Sequence, residues 1–479
     1  MTTEPAAEAR AHREAQLAAA LAGVTGAATV TGLRRLSGGA SRETWAFDAD
    51  DRPLILQRER PGGVRSAAGM GTEAAVLRAA AAEGVPVPRV VVTDADGAPG
   101  PVAADLGPAW MVVERVAGET IARRILRDDA YAAARPRLAA QCGDALAGIH
   151  RIDPSSVSGL PGGDQVAQFR SALDAVGEPH PAFELGFRWL ERHRPPSVGA
   201  RETVVHGDFR NGNLVVDAEG LAAVLDWELA HRGDPLEDLG WLCVRAWRFG
   251  APGRVGGFGE VDELVGAYEA SSGEPVDRAA LHWWEVLGTL KWGIICAVQA
   301  STHLTGVVRS VELAAIGRRV CEVEHDLLLL LPDGAPPDAG GVPPDGDGDA
   351  VGGADADGPS GEHPASLHDA PTAAQLVEAV REFLEGDVMA TAEGRVRFHA
   401  RVAGRVLATV ERQLAAGDGP ARAHAARLAT LGFGSDAALA AAVRSGALDD
   451  RTPEVTAVVA AAVADKLAVA NPGYAAPAG

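Results

Sequence analysis

Residues 204–216 read Val-Val-His-Gly-Asp-Phe-Arg-Asn-Gly-Asn-Leu-Val-Val, a polar loop with glycines between two β-branched runs. The flanking runs predict strands, and the glycines predict a tight connection between them. A second turn follows, and the apolar run Leu221–Leu225 leads directly to Asp226. Two adjacent hairpins of this kind are expected to bring Asp208, Asn213 and Asp226 to one edge of a small sheet.

Two carboxylates and an amide at one sheet edge suit phosphoryl transfer from a metal-bound nucleotide. One carboxylate can accept the proton of an attacking hydroxyl group. Mg²⁺ prefers hard oxygen ligands, which a carboxylate and an amide carbonyl provide beside the phosphates. Ordinary hairpin turns also use Asp, Asn and Gly, but the ordered set of three favours a chemical role.

Three motifs resemble one known family. The motif at residues 206–213, His-Gly-Asp-x-x-x-x-Asn, resembles the catalytic loop of aminoglycoside phosphotransferases and the related choline and homoserine kinases. Residues 226–228, Asp-Trp-Glu, stand where that family has its metal-binding segment, and residues 233–239 resemble the segment that follows. The resemblance covers roughly residues 25–331. It implies an α+β, bilobal protein-kinase-like fold, with a small antiparallel-sheet N-lobe and a mainly helical C-lobe.

By this resemblance the chain is a kinase that phosphorylates a hydroxyl group of a small molecule. Asp208 is expected to act as the catalytic base, while Asn213 and Asp226 are expected to hold Mg²⁺. Four residues are expected to support the loop: His206, Arg210, Asp234 and Asp238. Of these, His206 and Asp238 are expected to brace the loop through hydrogen bonds.

The resemblance also implies that the N-lobe binds the nucleotide. Small residues let backbone N–H groups approach an anion, and such a turn lies where the family's loop covers the phosphates. The turn consists of Ser37, Gly38, Gly39, Ala40 and Ser41. Glu114 and Val116 stand at the hinge, where backbone groups would pair with the purine. We expect Mg²⁺ with ATP as the phosphate donor; GTP stays open, because backbone contacts do not reveal which purine is preferred.

The phosphate-binding cation is the main departure from the family. Kinase-like folds place a lysine on the third strand, paired with a helix glutamate, and this lobe contains no lysine. Direct alignment puts Gln57 at the lysine position, whereas Arg58 and Arg60 face the opposite side of a regular strand. We expect a bulge that turns Arg58 inward, with Glu73 as its partner; Gln57 and Arg60 stay open as alternatives.

The acceptor is suggested by a narrower resemblance. Several segments resemble bacterial phosphotransferases similar to the kinase domain fused to certain animal acyl-CoA dehydrogenases. These segments are residues 60–62, 85–89 and 111–120 and the tryptophan pair at 283–284. The resemblance implies a hydroxyacyl-CoA that is phosphorylated on its acyl chain. Two alternatives stay open: an aminoglycoside O-phosphotransferase, and a catalytically weak kinase-fold binding module, which the missing lysine favours.

Composition excludes several classes of function. A net charge of −21 over 479 residues argues against a nucleic-acid binder, which needs clustered Lys and Arg. The four cysteines are scattered singly, which suits reduced thiols rather than a zinc site or disulfides. No signal peptide is evident, and the most apolar long stretch, Leu281–Ala300, contains Glu285 and Lys291, unlike a membrane span. We therefore expect a cytoplasmic protein whose partners are a nucleoside triphosphate and a small-molecule alcohol; its oligomeric state stays open.

Composition and pattern divide the chain into five segments. We predict a helical lead-in over 1–24, an N-lobe over 25–116, a catalytic C-lobe over 117–331, a disordered Pro/Gly/Asp-rich linker over 332–366 and a separate all-α domain over 367–470. The last segment carries no recognisable chemistry and resembles an uncharacterised domain often appended to such kinases.

One helix of that last domain has a regular apolar repeat. The repeat consists of Phe398, Val402, Val406, Val410 and Leu414. Its four-residue spacing predicts a single buried stripe along the helix.

Overall fold

The computed structural model describes residues 4–36, 42–59, 69–96, 106–331 and 372–475. The predicted phosphate loop at 37–41, Arg60 and the predicted linker at 332–366 lie outside the described residues. Contacts divide the chain into two compact units. The first contains the residues up to Phe169 together with Leu190–Thr289, and the second contains Arg170–Trp189 and Leu290–Pro477.

The first unit contains a five-stranded antiparallel sheet with strand order β1-β2-β3-β5-β4. The strands are β1 (Val30–Arg35), β2 (Arg42–Ala49), β3 (Arg52–Glu59), β4 (Val90–Thr93) and β5 (Trp110–Glu114). The small antiparallel sheet expected in the N-lobe is present. Successive side chains of a strand point to opposite faces of the sheet, so apolar residues at every second position can be buried together on one face.

The two faces of this sheet bury different clusters. Leu54 and Leu56 of β3 pack in a cluster with Leu21 of helix α1 (Glu4–Thr25). Ile55 lies between them in sequence and packs instead against the core that contains Met70, at the start of helix α2 (Gly69–Ala82). The alternation therefore fixes which β2 and β3 side chains point toward α2.

The three motifs lie on or next to two short antiparallel strand pairs in the same unit. Strand β6 (Thr203–Val205) pairs with β9 (His231–Gly233), and β7 (Leu214–Val216) pairs with β8 (Leu221–Val224), both antiparallel. The strands expected on both sides of the loop are present, but the expected first hairpin is wrong, because β6 and β7 do not pair and belong to different sheets.

Helices supply most of the remaining chain. They are α3 (Ala122–Arg127), α4 (Arg135–Ile149), α5 (Gln165–Val176), α6 (Pro181–Arg192), α7 (Leu236–Cys243), α8 (Val261–Ser272), α9 (Arg278–Leu304), α10 (Val311–Gly317) and α11 (Val320–Leu330). Helices α4 and α8 approach closely at Gly143, where an added Cβ would lie 2.5 Å from the carbonyl oxygen of Leu264. None of the helices within the described part of the chain is long and apolar enough to cross a membrane.

The second unit contains a C-terminal helical array. Its helices are α12 (Ala373–Phe383), α13 (Met389–Thr391), α14 (Gly394–Ala416), α15 (Gly419–Leu431), α16 (Asp436–Arg444) and α17 (Thr452–Ala470). Helices α11 and α17 are linked by an ion pair between Glu324 and Lys466, with an Nζ–Oε2 distance of 3.0 Å.

The predicted buried stripe on α14 is wrong. Phe398 is 49% exposed and Leu414 is 46% exposed, whereas the buried residues of this helix are Ala400, Gly404 and Thr409. An added Cβ at Gly404 would lie 3.0 Å from Oε1 of Glu385. The helix therefore packs through its small residues, which allow close approach of the neighbouring segment, rather than through its largest apolar side chains.

Candidate functional site

Asp208 lies in the loop after β6, where three donors fix its carboxylate. Its Oδ1 accepts hydrogen bonds from Nε1 of Trp241 at 2.9 Å and from Nε of Arg210 at 3.0 Å. Its Oδ2 accepts a hydrogen bond from Nδ2 of Asn213 at 2.7 Å. The side chain is 14% exposed. Donors on both oxygens hold the carboxylate in one orientation, as a positioned proton acceptor requires.

Asp238 of helix α7 braces this loop from within the core. Its Oδ2 accepts from the backbone N–H of His206 at 2.7 Å, and its Oδ1 accepts from that of Gly207 at 2.9 Å. Nε2 of His150 lies 3.3 Å from Oδ2. Burial alone would raise the pKa of Asp238, but the hydrogen bond and charge of His150, together with His206, hold it below its usual value. Gly207 has φ 76°, and an added Cβ would collide with the carbonyl oxygen of Leu229, so the turn needs glycine.

His206 connects the β6–β9 strand pair to the end of the β7–β8 pair. Its Nδ1 accepts the backbone N–H of Asp208 at 3.1 Å, and its Nε2 donates to the carbonyl oxygen of Leu225 at 3.0 Å. Burial lowers the pKa of His206, which favours the neutral imidazole that these two contacts require. The side chain thus ties the Asp208 loop to the segment that carries Asp226.

Asp226 directly follows Leu225, and its backbone lies in the left-handed conformation with φ 64°. The backbone N–H of Leu225 donates to the carbonyl oxygen of Asn213 at 2.8 Å, so the two segments run side by side. The pKa of Asp226 is raised to about 6, chiefly by burial and further by the negative charges of Glu228 and Asp208, while Arg42 and Arg210 oppose the rise.

These residues fit a divalent cation. A cation would relieve the repulsion among the crowded carboxylates, and carboxylate with amide oxygen is a suitable donor set for Mg²⁺. Nδ2 of Asn213 donates to the backbone oxygen and to Oδ2 of Asp208, at 3.0 and 2.7 Å, which directs its Oδ1 away from Asp208. Asn213 and Asp226 could therefore share a metal ion beside the proposed base.

Arg58 does not pair with Glu73, so that predicted contact is wrong. Strands β2 and β3 pair residue by residue from Arg42 opposite Glu59 to Ala49 opposite Arg52, with no bulge. Arg58 consequently points to the α1 side of the sheet. There its Nε and Nη2 donate to Oε2 of Glu43 at 3.0 and 2.8 Å.

Glu73 pairs instead with Arg42, which the sequence reasoning missed. Nη1 of Arg42 lies 2.9 Å from Oε1 and 2.6 Å from Oε2 of Glu73, and its Nε lies 3.3 Å from Oε2 of Glu228. Arg42 is 6% exposed and Glu73 is 2% exposed. Burial raises the pKa of Glu73 to about 7, an effect that Arg42 opposes and that Asp226 and Glu228 reinforce. The available signal was an arginine immediately after the glycine turn, on the second strand rather than the third.

The remaining predicted residues lie at the end of β5 and just before α7. Glu114 ends β5, and its backbone N–H donates to the carbonyl oxygen of Arg89 at 2.9 Å, so a purine would have to meet its carbonyl group. Val116, two residues later, is half-buried. Asp234 accepts the backbone N–H groups of Gly199 and Leu236 at 2.7 and 2.8 Å. It therefore positions the start of α7, the helix that carries Trp241 and Asp238.

Two tryptophans near Asp208 were also missed. Besides Trp241, the ring of Trp247 lies 5.1 Å from that of Trp241 and 4.6 Å from the guanidinium carbon of Arg210. Their proximity to Asp208 depends on how α7 packs, which the local sequence does not reveal.

Comparison with protein-family models places two domains on the chain. The model described as "Phosphotransferase enzyme family" (APH) matches residues 32–284, more than half of the 479 residues. A model described as "Domain of unknown function (DUF6285)" matches residues 390–474.

The curated relatives are much longer proteins. Acyl-CoA dehydrogenase family member 10 of Mus musculus is 30% identical over 231 residues, covering 44% of this chain and 20% of that protein. Acyl-CoA dehydrogenase family member 11 of Homo sapiens is 28% identical over 227 residues, covering 44% and 27%. The chain thus matches less than a third of the length of either relative.

A solved structure from Ralstonia eutropha JMP134, assigned provisionally by its name to the aminoglycoside phosphotransferases, has the same fold. Its TM-score is 0.52 at 20% identity, over 64% of this chain and 93% of that one. This likeness confirms the predicted α+β, protein-kinase-like fold, and the helical C-terminal region is present beside it. The family model agrees with the motifs, and because it matches more than half of the residues, the chain belongs to the phosphotransferase enzyme family.

Proposed function

We propose that Asp208 is the catalytic base of a Mg²⁺-ATP-dependent kinase whose acceptor is an anionic alcohol, of which a hydroxyacyl-CoA is the leading candidate. The observation that carries the proposal is the carboxylate of Asp208, held by Trp241, Arg210 and Asn213. The acceptor oxygen bonds to the γ-phosphorus as the bond to the β–γ bridging oxygen breaks. Asp208 takes the proton of the acceptor, and ADP leaves.

Asn213 and Asp226 are the residues that would hold Mg²⁺. When bound, the ion neutralises the charge of the phosphates and helps to orient them. The protein contributes alignment: Asp238 and His206 fix the loop through backbone hydrogen bonds, so the base need not reorganise during transfer.

A segment rich in arginine contacts the loop that carries Asp208. Residues 245–259 contain Arg245, Arg248 and Arg254 and no acidic residue, although the whole chain has a net charge of −21. The segment is docked on the catalytic loop, because Nδ2 of Asn211 donates to the carbonyl oxygen of Gly256 at 2.7 Å.

Two of these arginines contact the same buried carboxylate. Arg248 and Arg254 both contact Glu285, at 3.3 and 2.7 Å, so two cations meet one buried carboxylate. Arginine side chains suit a phosphate-bearing acceptor better than a polycationic aminoglycoside. The names of the curated relatives point the same way, toward acyl-CoA chemistry.

An ATP-consumption screen tests the acceptor. Hydroxyacyl-CoAs, aminoglycosides, choline and homoserine are each incubated with the full chain and Mg²⁺-ATP, and ADP release is measured. We expect turnover with a hydroxyacyl-CoA and much less with the matching hydroxyacyl-pantetheine, which lacks the nucleotide phosphates. The Asp208→Asn protein serves as the blank for contaminating ATPases.

The other outcomes are equally informative. A response to aminoglycosides alone would overturn the anionic acceptor. Binding of Mg²⁺-ATP without turnover of any alcohol would favour the kinase-fold binding module.

Asp226→Asn should remove Mg²⁺-dependent activity yet stabilise the metal-free protein. The carboxylate has a folded-state pKa of about 6, above its ordinary 3.8. Its ionisation therefore costs stability progressively as the pH rises from about 4 to 6, by at most about 3 kcal/mol. Asparagine tolerates the left-handed backbone and avoids this cost.

The measurement is the melting temperature in EDTA at pH 5 and pH 8. The advantage of the variant should grow toward pH 8, and added Mg²⁺ should stabilise the wild type more than the variant. Asp262→Asn, at a 91% exposed side chain, is the matched control. A variant that melts below wild type at pH 8 in EDTA would refute the repulsion argument.

A further inference from the structure

The sheet places a buried arginine beside the position where the family has its lysine. Gln57, at that position on β3, is paired in register with Thr44 of β2. Arg42 lies two residues before Thr44, so all three side chains point to the α2 face of the sheet. Arg42 and Gln57 are diagonal neighbours, close enough for a long side chain to span.

The contacts of Arg42 match those of the missing lysine. Its partner is Glu73 on α2, the helix glutamate that the family pairs with the lysine, at 2.6 Å. It also reaches Glu228 at 3.3 Å, two residues after the proposed metal ligand Asp226. Arg42 therefore joins the helix, the sheet and the metal-binding segment, although it extends from the neighbouring strand.

We propose that Arg42 is the cation that holds the α- and β-phosphates of the nucleotide, with Glu73 as its positioning residue. Arg42 on β2 thus takes the phosphate-binding role of the lysine that the family carries on β3. Glu73 fixes the guanidinium in place, and the phosphate oxygens replace the longer contact to Glu228. The planar guanidinium can meet two phosphate oxygens at once, a geometry that an ammonium group does not offer. The inference rests on the proposed nucleotide-dependent function.

Binding of ADP and of adenosine to the full chain, measured by calorimetry, separates phosphate recognition from folding. Arg42→Gln should weaken ADP binding by about 10- to 100-fold, the size of a lost charge-assisted pair, and leave adenosine binding unchanged. Arg42→Gln/Glu73→Gln removes both charges and should show the same loss, so an unpaired glutamate cannot explain it. Arg58→Gln removes a nearby arginine on the opposite face and should leave both affinities unchanged.

A relocation variant gives the sharpest test. Arg42→Gln combined with Gln57→Arg returns the guanidinium to β3 on the same face of the sheet. It should recover most of the ADP affinity that Arg42→Gln loses. Equal losses for ADP and adenosine, or no recovery on relocation, would overturn the proposal and leave Arg42 as a structural ion-pair residue. Because these measurements need no acceptor, a failed acceptor screen would not affect them.

Discussion

Asp208→Asn is expected to lower kcat by about 10²–10⁴-fold while leaving the affinity for Mg²⁺-ATP within a few-fold of wild type. The amide cannot accept the acceptor's proton. It also presents an NH₂ group either to Nδ2 of Asn213 or to the two donors Trp241 and Arg210, because the carboxylate accepts on both oxygens. The measurement is single-turnover phosphoryl transfer together with nucleotide binding by calorimetry.

Asp217→Asn is the control for this change. Asp217 lies in the neighbouring β7–β8 turn, where its Oδ1 accepts the backbone N–H groups of Glu219 and Gly220, and an amide oxygen can do the same. The activity of the Asp217→Asn protein should match that of the wild type. Unchanged turnover by Asp208→Asn would exclude this carboxylate as the base.

Asp238→Asn is expected to be the most destabilising conservative change near the site, by about 3–5 kcal/mol. Three donors converge on this fully buried carboxylate, from His206, Gly207 and His150, and an NH₂ group would oppose at least one of them. The melting temperature should fall clearly, and kcat should fall with it because the loop of Asp208 loses its brace.

The pH dependence of stability checks the same contact. The pKa of Asp238 is depressed in the folded protein, so its stabilising effect is present above the ordinary carboxyl pKa and is lost as the pH falls below it. The gap between wild type and variant should therefore narrow toward pH 3. Asp153→Asn, at an exposed residue that caps a turn through Ser155, should cost little. Equal melting temperatures for Asp238→Asn and wild type would show that the brace is dispensable.

Sequence reasoning succeeded where the relevant partners are close in the chain. Asn213 contacts Asp208 within the same loop, and the β7–β8 hairpin returns the chain to the segment of Asp226, so these residues come together although β6 and β7 do not pair. The β-branched runs on either side of the Asp208 loop likewise predicted the strands β6 and β7.

It failed where the partner comes from a distant segment or an adjacent strand. Arg42 reaches Glu73 because β2 and β3 pair in a particular register, and a single strand cannot reveal its neighbour's side chains. Trp241 reaches Asp208 only through the packing of α7. On α14 the apolar repeat did not mark the buried positions, because Ala400 and Gly404 allow a closer approach of the neighbouring segment than Phe398 or Leu414 would.

The absence of lysine from the nucleotide-binding lobe has a practical consequence for chemical profiling. Acyl-phosphate nucleotide probes report on kinases by acylating an amine at the ATP site, and here Lys291 is 6% exposed while Lys466 is salt-bridged to Glu324. Such probes should give no ATP-protected label on this protein. An arginine-directed dicarbonyl reagent is the appropriate footprinting chemistry for this protein.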